Sequence, residues 1–99
     1  MEEVIRSERG LEVRVPPLLR GMSSREYFSR IEDGVKREPC NLYFDCSSAT
    51  LIDSTALGKI IFIAKELHRE NRRTVFESCP PSIRELLAKL RADQFIDLS

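Results

Sequence analysis

The side chains best placed for chemistry lie at one junction, where Asp53, Ser54 and Thr55 precede a run of apolar residues at helical spacing. Either Asp53 or Ser54 can accept a hydrogen bond from a free N–H group of the first helical turn, as a plain cap. A hydroxyl at a helix N-terminus also tolerates phosphate, because the free N–H groups and the helix dipole stabilise added negative charge. The junction therefore predicts a cap, a phosphorylation site at Ser54, or both.

The other reactive side chains show no pattern of an active site. Three cysteines without C-x-x-C spacing favour neither a zinc site nor a disulfide scaffold, so Cys40 and Cys46 are interpreted as strand or strand-end positions of a reduced protein. His68 is flanked by charges and is interpreted as a solvated helix residue. Asp45 and Asp53 follow a strand as an acceptor aspartate would, but the acidic pair and the late lysine of a phosphoryl receiver are missing. We predict no catalysis, no metal and no cofactor.

Length and composition limit what the chain can be. Its 99 residues, 41% of them hydrophobic, suit a single domain over residues 1–99 with one modest core. Sixteen basic residues balance sixteen acidic ones, so nothing favours nucleic acid as a partner. The acidic start is unlike a signal peptide, and no apolar run approaches a membrane span. We expect a cytoplasmic protein without membrane insertion, monomeric or weakly dimeric.

The first half of the chain predicts a hairpin, a loop and a helix. Residues 3–6 and 11–15 alternate around Gly10 as two short strands, and residues 18–21 are predicted to be a loop after two prolines. The helix start shows two signals, a capping box and a hydrophobic staple, formed by Ser23 with Glu26 and by Met22 with Tyr27. Its buried stripe is Phe28, Ile31 and Val35, and Glu38-Pro39 ends it.

The second half alternates strands with helices. Residues 41–46 and 74–76 predict strands, and 94–98 a last one. A second capping box, Ser82 with Glu85, follows Pro80-Pro81, and the buried face of that helix is predicted to be Ile83, Leu86, Leu87 and Leu90. This order predicts an α/β fold: a mixed, mostly parallel sheet with an N-terminal antiparallel hairpin and helices packed on it.

The helix after Asp53 carries two different stripes. At 100° per residue its core-facing arc is Leu57, Ile60, Ile61, Ala64 and Leu67. Outside that arc Ser54, Gly58 and Phe62 form an i, i+4, i+8 row. An exposed phenylalanine and a mid-helix glycine are unfavourable unless something docks there, so this row predicts a ridge that faces a partner.

The segment FDCSSATLIDSTALGKI, with the following strand and PPSIRELLAKL, resembles the STAS domain of anti-sigma factor antagonists over residues 41–98. The most diagnostic stretch of that family is Asp-Ser-Ser/Thr-Gly-Leu-Gly opening a helix. Here it is residues 53–58, with Ala56 in place of one glycine. VPPLLRGMSS departs from the family, which commonly has Gly-x-Leu-Asp after the second strand.

The resemblance implies a function for Ser54. It implies phosphorylation of this residue by an anti-sigma factor that is also a serine kinase, and reversal by a serine phosphatase. The unphosphorylated form would bind the kinase and release its sigma factor, with Asp53, Ser54, Thr55, Gly58 and Phe62 as the partner-binding residues. Other members of the family serve stress-signalling complexes, lipid-transport machinery or anion transporters. The alternative is therefore a constitutive interaction subunit in which Ser54 is only a cap and Phe62 anchors a permanent contact.

Overall fold

The computed structural model describes residues 3–99, in which strands and helices alternate. In chain order the elements are β1 (Val4–Ser7), β2 (Gly10–Arg14), β3 (Leu18–Leu19), α1 (Arg25–Arg37), β4 (Asn41–Asp45), β5 (Leu51–Ile52), α2 (Ser54–Arg69), β6 (Thr74–Glu77), α3 (Pro81–Lys89) and β7 (Ile96–Leu98). Short 3-10 turns lie at Gly21–Ser23 and Ala92–Gln94.

Five of the strands form one sheet in the order β1-β2-β4-β6-β7. The pair β1 and β2 is antiparallel, and every later pair is parallel. Each parallel connection steps in the same direction, and such connections are right-handed, so the three helices pack on one face of the sheet. The predicted α/β class, the N-terminal hairpin and the mostly parallel sheet are confirmed.

The two faces of the sheet differ in what covers them. In β4, Leu42 and Phe44 are fully buried among the helices, while the intervening Tyr43 is only half-buried on the other face. The guanidinium of Arg9 lies 4.0 Å from the centre of the Tyr43 ring and donates to both carboxylate oxygens of Glu77, at 2.6 and 2.8 Å. The hairpin turn is thereby tied across the open face to β6.

A second, two-stranded sheet was not anticipated from the sequence. Residues 18–21 were predicted to be a loop, yet Leu18 and Leu19 pair in parallel with Leu51 and Ile52. Two-residue strands are too short for alternation to be read from sequence. This small sheet lies directly before α2 and places its first residue.

Both predicted capping boxes are wrong. Ser23 belongs to a 3-10 turn and Ser24 stands at the N-cap of α1 without a side-chain capping bond, while Met22 is 82% exposed and cannot form the staple. The segment instead turns toward the start of α2. At α3 the N-cap is Pro80 rather than Ser82, because the pair of prolines already fixes the backbone angles of the first turn.

In α2 and α3 the set of buried residues also differs from the predicted set. In α2, Ile63 and Ala56 are buried, whereas Ile61 is only partly buried at the edge of the arc. In α3, Ile83 and Leu87 are buried as predicted, but Leu86 is half-buried and Leu90 is 53% exposed. Leu90 is the C-cap, one residue beyond the end of the helix. The last strand is likewise shorter than residues 94–98, because a 3-10 turn occupies Ala92–Gln94.

The α3 packing can be tested with two leucines of the same helix. Leu87→Ala should lower the free energy of unfolding by about 2–5 kcal/mol, because the side chain is fully buried and its loss leaves a cavity. Leu90→Ala is the matched control and should change it by no more than about 0.5 kcal/mol, because half of its surface is already in water. Urea unfolding of both variants measures the difference. Equal losses would contradict the described α3 packing.

Candidate functional site

The small sheet β3–β5 directly precedes α2 and fixes the backbone that leads into it. The carbonyl oxygen of Pro17 accepts the N–H groups of Thr50 and Leu51, at 2.9 and 3.0 Å, and the Thr50 hydroxyl at 2.6 Å. Two residues further on, the N–H of Asp53 donates to the carbonyl oxygen of Leu19 at 3.0 Å. The backbone of Asp53 is therefore fixed by β3 before the helix begins.

The Asp53 carboxylate joins two segments that are far apart in sequence. One oxygen, Oδ1, accepts the N–H of Ala56 at 2.8 Å as the helix cap and the N–H of Gly21 at 3.0 Å. The carbonyl oxygen of the same residue accepts the N–H of Leu57 at 2.9 Å, the first bond of the helix ladder. Of the two expected caps, the structure thus uses Asp53 and not Ser54.

These contacts hold Asp53 in its charged form. The N–H of Ala56 and next that of Gly21 keep the pKa of the carboxyl below its usual range, and the positive charge of Arg20 lowers it further. The cap carries a negative charge at the helix N-terminus, where the dipole favours it.

Only glycine fits at position 21. A Cβ atom there would lie 2.5 Å from Cγ2 of Thr55 and 2.7 Å from the backbone nitrogen of Ala56. Such distances are too short for any side chain, so the 3-10 turn Gly21–Ser23 can press against the first turn of α2 only without one. Gly21, within the segment VPPLLRGMSS, therefore has a structural role that the sequence did not reveal.

Ser54 is the first residue of α2 and its side chain is exposed, as is that of Thr55. The first helical turn contains no acidic residue. The capping bond is made by Asp53, and the exposed Ser54 side chain takes no part in it. The structure places these three neighbouring residues together at one surface.

The predicted ridge is exposed along its length. Gly58 is exposed, a Cβ atom there would meet nothing within 4 Å, and Phe62 is 62% exposed. A shallow groove runs beside them between α1 and α2, lined by Glu32, Thr55, Gly58, Lys59, Phe62 and Ile63. Phe62 thus lies outside the core, as the periodicity indicated.

Three exposed apolar side chains near this junction were not predicted to form part of a surface for a partner. Leu18 and Leu51 are neighbours in the small sheet and are 55% and 46% exposed, and Met22 follows the glycine that touches α2. We call Leu18, Met22 and Leu51 the apolar rim. For Leu18 the sequence signal was the pair Leu18-Leu19 after Pro16-Pro17, because a solvated loop does not need two leucines.

Within residues 3–99, no three His, Cys, Asp or Glu side chains gather as metal ligands, and no helix is long and apolar enough to cross a membrane. Asp45 accepts the N–H of Ser47 at 3.0 Å, which lowers its pKa and closes the loop after β4. It takes no part in the α2 cap.

The role of Asp53 predicts distinct results for two substitutions. Asp53→Ala should lower the melting temperature by roughly 4–8 °C at pH 7, a shift typical of losing a helix cap in a domain of this size. Asp53→Asn keeps an oxygen acceptor for both N–H groups and should lower the melting temperature far less. Thermal unfolding by circular dichroism measures both.

The difference in stability between wild type and Asp53→Asn should depend on pH. The pKa of Asp53 in the folded protein is lowered, so its charge stabilises the fold fully above the unfolded value of about 3.9 and ceases to do so as the pH falls through the folded value. The advantage of wild type over Asp53→Asn should therefore shrink between about pH 5 and pH 2. A difference that stays constant over this range would contradict the assigned role.

Comparison with known proteins identifies relatives of this architecture. A family model described as the STAS domain matches residues 4–99. The structure of the Thermotoga maritima protein TM1081 superposes with a TM-score of 0.81 at 15% identity, covering 96% of this chain and 82% of that one. The sequence comparison with curated proteins finds no match.

Two further structures belong to the anti-sigma factor antagonist SpoIIAA. Its unphosphorylated form gives a TM-score of 0.78 at 15% identity, covering 97% of this chain and 84% of that one. The phosphorylated form of the Bacillus cell fate determinant SpoIIAA gives 0.77 at 13% identity, covering 97% and 88%. At these identities the likeness shows the fold alone.

Proposed function

The chain belongs to the STAS domain family, and we propose that it is an anti-sigma factor antagonist whose binding is switched by phosphorylation of Ser54. In this proposal the module comprises residues 1–99 and acts in the cytoplasm, without catalysis of its own. It binds an anti-sigma factor with serine kinase activity while Ser54 is unphosphorylated. A serine phosphatase restores the binding form.

The observation that carries this proposal is the division of roles between Asp53 and Ser54. Asp53 holds the helix cap and the Gly21 N–H, while Ser54 presents its hydroxyl to solvent one residue later. A kinase needs an accessible hydroxyl, and the fold needs an intact cap. Because two different residues meet these needs, the modification does not compete with folding.

Electrostatics at the junction fit a switch. A phosphate on Ser54 carries about −1.5 to −2 charges, and the helix dipole favours negative charge at this end of α2 in the free protein. In a complex the same charge would have to leave water. An unpaired charge buried at an interface is strongly unfavourable, so the phosphorylated module should dissociate from its partner.

The apolar rim supplies the contact area that such a partner needs. Leu18, Met22 and Leu51 are exposed beside the start of α2, where apolar side chains gain free energy only when something covers them. Leu51 lies three residues before Ser54, and Met22 follows the glycine that touches the first turn of α2, so a partner that covers the rim approaches the hydroxyl as well. Binding and phosphorylation by one protein are therefore geometrically compatible.

A second candidate function rests on Phe62. This side chain is 62% exposed beside the α1–α2 groove, and Gly58 leaves the ridge open next to it. A constitutive STAS interaction subunit, for example in stress-signalling or lipid-transport machinery, would use this aromatic ring as a permanent anchor. It would not need phosphate on Ser54.

The Ser54 proposal predicts opposite effects of two substitutions on binding. Ser54→Ala should bind the captured partner as tightly as wild type and accept no phosphate, whereas Ser54→Asp should bind at least tenfold more weakly. Neither should change the free energy of unfolding by more than about 0.5 kcal/mol, since Asp53 is the cap. The partner is first captured from a lysate with wild type as bait, then titrated calorimetrically against each variant.

Two further variants are included: Thr55→Ala tests which residue carries the phosphate, and Phe62→Ala tests the constitutive alternative. Incubation of each protein with the partner, ATP and magnesium should place phosphate in the tryptic peptide of residues 38–59, in wild type and Thr55→Ala but not in Ser54→Ala. Equal affinities for Ser54→Ala and Ser54→Asp, with no phosphate on Ser54, would reject the switch. If Phe62→Ala then abolishes binding, the constitutive subunit is the correct function.

A further inference from the structure

Two free cysteines lie side by side where two neighbouring strands end. Cys46 follows β4 and Cys79 lies just beyond β6, and both are buried in the core, at 0% and 7% exposure. The N–H of Cys46 donates to the carbonyl oxygen of Glu77 at 2.9 Å, so the ladder between the strands continues to this point. The proposed function uses neither thiol.

The backbone brings the second thiol back toward the first. Asp45 pairs with Glu77, which places Cys46 opposite Ser78. Ser78 has a φ of 56°, in the left-handed region that a serine rarely adopts, and the chain turns there so that Cys79 points into the core. The two thiols are close enough for each to influence the pKa of the other.

We propose that Cys46 and Cys79 are an oxidisable dithiol that closes to an intrachain disulfide in the folded protein. Cys79 follows the residue that lies opposite Cys46 on the neighbouring strand, and neighbouring strands lie about 4.8 Å apart. A disulfide spans Cα separations of about 4.4–6.8 Å, so closure requires a limited backbone adjustment at the turn after β6. Within residues 3–99 no third His, Cys, Asp or Glu side chain joins the two sulfurs as a metal site would require.

The reaction needs a small oxidant such as hydrogen peroxide. The Cys79 thiol, which is the more exposed, loses its proton and attacks one peroxide oxygen, giving a sulfenic acid and releasing hydroxide. The Cys46 sulfur then attacks the Cys79 sulfur, forming the S–S bond while the sulfenic oxygen leaves as water. In sum, two thiols and one peroxide give one disulfide and two waters.

Burial sets the conditions of this chemistry. Removal from water raises the pKa of both thiols above the ordinary cysteine value, so little thiolate is present at neutral pH. Oxidation is therefore slow and selective for small oxidants, and the closed form resists larger thiol reductants in the same way.

The disulfide would act on the segment that leads to the candidate site. The carbonyl oxygen of Cys46 accepts the N–H of Ala49 at 3.0 Å, so this cysteine begins the loop that continues through β5 to Asp53. Joining it to Cys79 links that loop to the start of α3. The cross-link closes a loop of roughly 30 residues, which restricts the unfolded chain and raises the unfolding temperature. This proposal does not depend on phosphorylation of Ser54.

The test uses Cys40→Ser as the background, because Cys40 and Cys46 share one tryptic peptide. The folded protein is treated with hydrogen peroxide, then alkylated in denaturant and digested without reduction. We expect residues 38–59 joined to residues 74–84, with both thiols lost together in the thiol titration and regained with dithiothreitol. The oxidised form should melt at a higher temperature. Additional substitution of Cys46 or Cys79 by Ser should abolish the joined peptide, with circular dichroism confirming that the variant is folded.

Two results would overturn the proposal. One is that both thiols stay reduced in the folded protein and become joined only after urea is added. The other is that Cys79 proceeds to sulfinic or sulfonic acid while Cys46 remains a thiol, which would show that the two sulfurs do not meet.

Discussion

The arrangement of the candidate site depends on one carboxylate that accepts two backbone N–H groups. Oδ1 of Asp53 binds the N–H of Ala56 within its own helix and the N–H of Gly21 from a turn 32 residues earlier. The first bond starts α2 and the second fixes the turn against it. Without this carboxylate the start of α2 and the turn Gly21–Ser23 would lose their common hydrogen-bond acceptor.

At this surface, the residues that stabilise the start of α2 differ from the residues that are exposed to solvent. The cap and the close contact at Gly21 use Asp53 and the backbone, so Ser54, Thr55 and the apolar rim are left exposed. In an isolated domain, exposed apolar side chains are unfavourable, and an exposed hydroxyl at a helix N-terminus has no structural role. Together they are what a partner with a phosphorylating activity would need.

The sequence predicted the architecture well where elements are long enough to show a period. The alternation in residues 41–46 and the exposed position of Phe62 follow from such periods, and the structure confirms both. Capping boxes failed at Ser23 and Ser82 because local motifs cannot show that a turn is drawn onto another helix or that prolines already fix the first turn. The pairing of Leu18 with Leu51 is invisible in sequence because it depends on contacts across the fold. The role of Gly21 was missed for the same reason.

The central claim is that charge added at Ser54 changes the surface and not the fold, because Asp53 keeps the cap. The direct measurement is the amide spectrum of isotope-labelled protein with phosphoserine incorporated genetically at position 54, compared with that of wild type. The account predicts shift changes confined to the first turn of α2 and the adjoining turn Gly21–Ser23, with the amides of β4 and β6 unmoved. Changes spread through the five-stranded sheet, or a collapsed spectrum, would contradict it.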